Sequence, residues 1–414
     1  MVITSTAGLE PLNMIILSAV VVLLAPWLLQ DWPSLAIYPC SSSKQVNTTL
    51  SWRIRTWLGG FPNSLTLTLT GNIVREPNPG LGGRQVKATR GKFLGGSGGC
   101  NGTLSIRGTK QDYDDWELPG WSGDDVWRCI EKAENYHPSD WMKHSPKAHG
   151  TSGPLDTGPY PLAPISNMVM DSFVSKGILL DPDMFSTGDN PHGCGHIVRT
   201  TYQGLRVTAA NYLLAAGDNL TLKTETLVDN VVFDRNISGE VQATGLKVIE
   251  SDGKMHKLTA RREVIISGGA YCSPAILLRS GVGPKAELEK LGVEVIIDSP
   301  GVGKNLMDHL IVLIFYEVNK PGLTLDNQLY PPGALETSYK LWKEHKKGPL
   351  SSFPFGACAY THLDERLSDS ALWKSAPASA WAGPHRAHIK TAKHRALHHR
   401  VLRRSKTLVC GFPT

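Results

Sequence analysis

The stretch REVIISGGAYCSPAILLRSGVG, residues 262–283, limits the fold more than any other part of the chain. Glu263–Ser267 is rich in β-branched residues and uninterrupted, the pattern of a strand covered on both faces. Gly268 and Gly269 turn the chain. Ser273 is placed to cap the following helix, with Pro274 at its first position, and Gly281 to end it. A strand that runs through two glycines into a helix points helix-end amides at the carboxyl edge of a sheet. Open α/β folds take up ligands there.

The neighbouring sequence supplies other elements. From Asn219 onward the hydrophobic period is two, so NLTLKT, LVDNVVFD and ATGLKVIESDGKMHKLTA read as strands, with a hairpin turn at Asp252-Gly253. Earlier, Ser122 and Asp125 form a capping box for a helix over 123–136, which carries Val126, Trp127, Ile130 and Ala133 on one face. Residues 166–178 and 204–216 read as two more amphipathic helices, and SLTLTLTGNIV (64–74) alternates like a strand. The class is α/β with a sizeable antiparallel part.

At 414 residues the chain is long enough for two or three domains. Both ends differ in composition from the middle. Met14 to Leu29 is 16 apolar or uncharged residues, short of the ~20 that span a bilayer, and no Lys or Arg precedes Lys44. A short membrane anchor, an atypical export signal and a core element all fit this run, and hydropathy favours the first two. The expected location is therefore membrane or secreted. Sequons at Asn47, Asn101, Asn219 and Asn236 fit an exporting pathway. At the other end, residues 370–414 hold nine Lys/Arg and no acid, which leaves 34 basic against 37 acidic residues in the rest. The net charge of +6 thus belongs to the tail and argues for no nucleic-acid partner. His385, His388, His394, His398 and His399 have no acidic or Cys partner at a fixed spacing, and the seven cysteines are scattered without a CxxC, so no metal is expected.

The glycine-rich stretch GKFLGGSGGCNGT, from Gly91 to Thr103, lacks the Lys-Ser/Thr of a triphosphate loop, and no GxGxxG occurs in the chain. What it offers is close backbone approach with two small polar side chains, Ser97 and Asn101. That suits a large flat ligand with a diphosphate, and equally a turn that packs a helix tightly on a sheet. Its companions weigh for the ligand. GKFLGGSGGCNGTLSIRGTKQDYDDW (91–116) and GAYCSPAILLRSGVG (269–283) resemble the two signatures of the glucose–methanol–choline oxidoreductases. HGTSGPL, GLRVTAANYL, NLTLKTETLV, SPGVGKNLMDH and KGPLSS follow in family order over roughly 270 residues. The first signature departs at Cys100 and Ser105, and the second matches throughout.

The resemblance implies FAD as cofactor, with Gly95, Gly96, Ser97, Asn101, Gly102 and Thr103 along the flavin and diphosphate. It places the Val228 backbone at the adenine and Ala270, with Ser273 and Pro274, at the sheet edge. It implies an oxidoreductase that acts on the CH–OH group of a small-molecule alcohol. Two family parts have no counterpart: the N-terminal strand, GxGxxG turn and helix that seat the diphosphate, and the C-terminal HP.GT motif with the active-site His. No catalytic residue is therefore assigned. The expected architecture is an incomplete Rossmann-like FAD-binding domain with a partial antiparallel-sheet substrate domain. Residues 1–45 form the hydrophobic segment, 46–315 the FAD-binding region, 316–361 part of the substrate domain and 362–414 the basic tail. A second reading is a truncated, inactive remnant, membrane-tethered through residues 14–29. Oligomeric state is left open.

Overall fold

Glu263–Ser267 forms the expected strand and lies second in a five-stranded sheet ordered Val2–Thr4, Glu263–Ser267, Met14–Ser18, Ser34–Ile37, Thr221–Lys223. The structure is a computed structural model. Its described residues comprise three short strands before residue 38, most of 73–361, residue 371 and Val409–Cys410. By its contacts the chain divides into two units. One comprises Met1–Thr103, Ser152–Asp156 and Leu205–Leu313; the other comprises Leu104–Thr151, Thr157–Gly204 and Ile314–Thr414.

In the first unit the five-stranded sheet is parallel apart from its edge strand Val2–Thr4. Met14–Ser18 occupies the centre. Ile16 faces Ile265 on one side and Ala36 on the other, and Ser18 faces Ser267. This corrects two expectations. The apolar run 14–29 begins as a central strand, not as a membrane helix, and the sheet keeps the strand that seemed missing. The physical reason is that an inner strand of a parallel sheet, covered on both faces, needs the same unbroken apolar sequence as a membrane segment. Among the described residues no helix is long and apolar enough to cross a membrane.

The period-two segment forms a three-stranded antiparallel sheet of Thr226–Arg235, Val241–Glu250 and Met255–Thr259. Gly253 adopts φ +82° in the hairpin turn, where Glu250 donates its amide to the Lys254 carbonyl. Two register shifts bend the first pair, between Val228 and Asn230 and between Val232 and Phe233. Val228, Val231, Ala243, Leu246 and Val248 pack with Val264 of the parallel sheet and Ile276 of the next helix as one core cluster. Full burial of a Leu or Val side chain contributes roughly 1.5–3 kcal/mol, so this cluster is a main source of stability in the unit.

That helix spans Gly269–Arg279, one turn and more ahead of the expected start. Gly268 is its N-cap and Gly269 takes φ +85°, so the double glycine itself makes the turn and Pro274 falls inside the helix. Ser273 is not its cap. The end is as expected: Gly281 adopts φ +76° after the last turn. The segment 204–216 is not an α-helix. Leu205–Arg206 is a short strand and Ala209–Ala215 a 3₁₀ turn. Thr208 and Asn211 bond to local amides, which competes with the α-helical ladder. Of the strand expected at 64–74 only Ile73–Val74 is described, paired with Lys87–Ala88.

In the second unit the capping box forms as expected. Ser122 and Asp125 bond reciprocally and open the helix Gly123–Ala133, with Val126, Trp127 and Ala133 buried. The helix stops three residues short of the expected 136, because Glu134 turns extended and its carboxylate is used elsewhere. The helix expected at 166–178 spans Ile165–Ser175. Gly193–His196, Ala357–Tyr360 and Val409–Cys410 pair antiparallel. The middle strand buries Cys358 against Met184, Phe185 and Ile197, and buries Ala357 and Ala359 against Met170 and Cys194. The histidines of the basic tail lie outside the described residues.

Candidate cofactor-binding site

The glycine stretch leaves the strand Lys87–Ala88 and winds into a 3₁₀ turn over Gly96–Gly99. Two of its glycines are packing requirements. A Cβ on Gly91 would collide with the Gly96 carbonyl, and one on Gly95, at φ +89°, with the Thr208 hydroxyl. Gly98 differs: a Cβ there would meet only Thr208 Cβ, at 3.8 Å. Gly91 and Gly95 thus pack the loop, while Gly98 leaves room beside it.

The polar side chains brace the loop from within. Gly91 donates its amide to Ser97 Oγ at 3.3 Å. Asn101 Oδ1 accepts from the Thr103 amide at 2.9 Å, and Thr103 Oγ1 donates to the Gly102 carbonyl at 2.6 Å. Thr103 is fully buried at φ +62°, a left-handed conformation that costs a β-branched residue about 1–3 kcal/mol. The surrounding bonds hold that strained residue in place. Gly95 and Gly96 are buried, Ser97 and Gly102 half-buried, and Asn101 is exposed.

Arg206 completes the loop, and sequence reasoning missed it. From the short strand Leu205–Arg206 its Nη1 donates to the Gly98 carbonyl (3.2 Å), the Asn101 carbonyl (2.8 Å) and Asn101 Oδ1 (2.7 Å). Its Nε is buried and makes no hydrogen bond. Burial pulls its pKa down to about 10. Burial also pushes the neighbouring Cys100 thiol up, more than the Arg206 charge pulls it down. A lone Arg in the otherwise weakly polar GLRVTAANYL was the available signal.

The remaining predicted positions join the loop through two arginines. The Arg90 guanidinium stacks over the Tyr271 ring at 4.7 Å, which ties the stretch to the helix Gly269–Arg279. Ala270 is exposed in the first turn of that helix. At its far end Arg279 donates to the carbonyls of Val228 (3.2 Å) and Asp229 (2.9 Å). Val228 is buried in the antiparallel sheet. Loop, sheet-edge helix and strand are thus linked within one unit, as a dinucleotide cradle requires. The residues present fit an anionic cofactor at the loop, where the half-buried Arg206 guanidinium lacks an acidic partner among the described residues. After the central strand Met14–Ser18 the sequence has no glycine until Gly59, the residue type that lets a backbone approach phosphate most closely.

The second unit holds another buried polar cluster. Arg107 Nη2 bonds Glu134 Oε2 at 2.7 Å, and its Nη1 donates to the carbonyls of Ala148 and Ser186. His149 lies between two carboxylates, with Nδ1 2.9 Å from Glu134 and Nε2 3.2 Å from Asp183. Thr157 Oγ1 donates to Glu134 Oε1, and the Tyr136 ring stacks on His149 at 3.7 Å. Burial favours neutral His149, yet the bonds to Asp183 and Glu134 outweigh it and raise the imidazole pKa. Burial likewise opposes ionised Glu134, and His149 and Arg107 together hold its pKa low. Among the described residues no group of His, Cys, Asp and Glu could hold a metal.

The sheet-edge helix, the glycine loop tied to it through Arg90 and the mixed sheets have the architecture of an α/β dinucleotide-binding fold. The chain belongs to the GMC oxidoreductases, whose family model matches residues 21–311. An oxygen-dependent choline dehydrogenase of Sinorhizobium fredii is 34% identical over 293 residues, covering 69% of this chain and 50% of that protein. One of Pseudomonas putida is 38% identical over 260 residues, covering 59% and 43%. The chain spans about half the length of the curated relatives it matches. Among solved structures, an FAD-dependent oxidoreductase from Chaetomium thermophilum shares the fold with a TM-score of 0.74 at 21% identity, covering 95% of this chain and 70% of that one. A formate oxidase from Aspergillus oryzae aligns with a TM-score of 0.73 at 23% identity, covering 90% and 66%.

Proposed function

We propose that the chain takes up FAD against the loop 95–103 and serves a flavin-dependent oxidation of the CH–OH group of a small-molecule alcohol. The observation that carries this reading is the loop itself: a buried left-handed Thr103 and a half-buried Arg206 whose buried Nε has no hydrogen-bond partner and which has no acidic partner among the described residues, in a chain of this family. FAD, when bound, supplies the hydride acceptor. The chain's own residues bind and orient. Of the predicted positions, Ser97, Asn101 and Gly102 are accessible to contact it, mainly through the main chain because the Ser97 and Asn101 oxygens brace the loop, while the buried Gly95, Gly96 and Thr103 shape it. Val228 and Ala270 extend the cradle along the strand and the sheet-edge helix. Similarity to oxygen-dependent choline dehydrogenases supports an alcohol as substrate class.

The test is the visible spectrum of the purified full chain after incubation with FAD and desalting. A flavin band near one per chain supports the reading, and turnover assays over small alcohols, choline included, follow from it. A colourless protein overturns it.

A further inference from the structure

Arg206 carries more than loop bracing demands. Arg206 is half-buried, and desolvating part of a guanidinium with no carboxylate beside it among the described residues costs free energy that an apolar side chain would not. Its Nη1 spends its bonds on two carbonyls and one amide oxygen of a single loop, 105 and 108 residues away in sequence. Its Nε has no partner. A trans peptide is planar, with its carbonyl and the following N–H pointing in opposite directions. Drawing the Gly98 and Asn101 carbonyls toward Arg206 therefore points the positive ends of those two peptide dipoles the other way.

We propose that Arg206 is the positioning residue of the cofactor cradle: it turns the loop carbonyls away from the ligand side and sets an unpaired positive charge behind the loop, so that the surface presented accepts a phosphate-bearing flavin. The proposal rests on the FAD reading above. It is about the phosphate portion in particular, since a neutral isoalloxazine and ribityl chain has little use for a fixed cation.

Dissociation constants for FAD and for riboflavin, read by quenching of flavin fluorescence on the full chain, decide it. The wild type should prefer FAD. In R206M, FAD should weaken ~10- to 100-fold, the loss of charge-assisted bonds worth ~1.5–3 kcal/mol, with riboflavin changed less than about twofold. R206K, which keeps the charge and loses the fork, should fall between the two. Equal weakening of FAD and riboflavin would mean general collapse of the loop and would overturn the proposal, as would an R206M protein that binds FAD like the wild type. If R206M fails to fold, R206K decides by the same ratio: a selective FAD loss supports the proposal and an unchanged ratio overturns it. A wild type that binds neither flavin removes the FAD reading first and this proposal with it, an outcome distinct from the other two.

Discussion

Two arginines, one in each unit, are handled in opposite ways: Arg107 is buried and Arg206 is half-buried. Arg107 is matched by Glu134, and with His149 protonated the cluster carries two positive and two negative charges among Arg107, His149, Glu134 and Asp183. Arg206 is set among carbonyls, with no acidic partner among the described residues. A buried charge that is matched inside the protein serves the fold, because removing either partner strands the other. A half-buried charge that the described residues leave unmatched is available to a ligand. The comparison teaches where to look for a ligand: at the positive group the fold does not neutralise.

The largest effect should come from breaking the matched cluster. Glu134→Ala strands Arg107 and His149 in a buried site and is expected to cost ~3–5 kcal/mol in urea unfolding of the second unit. A loss under 1 kcal/mol would end the contrast between the two arginines.

The loop gives the next effect. Gly95→Ala must enter the Thr208 hydroxyl from a left-handed backbone and should cost ~1–3 kcal/mol, while Gly98→Ala should stay within ~0.5 kcal/mol in the same melts. Equal costs at both positions would show that the loop is not braced as described.

The pH dependence sharpens the comparison further. His149 has a raised folded pKa, so its stabilisation is fully present below the unfolded value near 6.5 and is lost as pH rises through the folded value. Glu134 has a lowered folded pKa, so its share is present above the unfolded value near 4.5 and is lost as pH falls through the folded value. The second unit should be most stable between these limits, and His149→Gln should flatten the alkaline side of the profile. A His149→Gln profile that keeps the wild-type alkaline slope would assign that slope to other groups.

The smallest effect is expected at Thr103→Gly. Relief of the left-handed strain, ~1–2 kcal/mol, is largely offset by glycine's extra unfolded-state entropy, ~0.5–1 kcal/mol, so melting should barely move. FAD affinity should fall nonetheless, because the loop loses the Thr103 hydroxyl bond to Gly102. An unchanged affinity would make Thr103 a packing residue only.

Much of the scaffold was legible in the sequence because it is written locally. The capping box at Ser122 and Asp125, the strand Glu263–Ser267 and the glycine stop at Gly281 each depend on neighbours within a few residues. The candidate loop was legible through its resemblance to a family signature. Arg206 was not, since its partners lie more than 100 residues away and its own segment has the apolar spacing of a helix. Nor was the cluster around His149, assembled from Arg107, Glu134 and Asp183 on separate elements.

By itself, then, the sequence determined the alternation of strands and helices, the family and the loop at which a cofactor is sought, all properties of short-range pattern. Tertiary structure alone decided that Met14–Ser18 is the centre of a sheet, that Ser97 and Asn101 brace the loop, and which of Arg107 and Arg206 is neutralised. Hydropathy reports how much a residue gains by leaving water, and that gain is the same in a bilayer and in a sheet. Only the pairing of distant backbones says which of the two receives it.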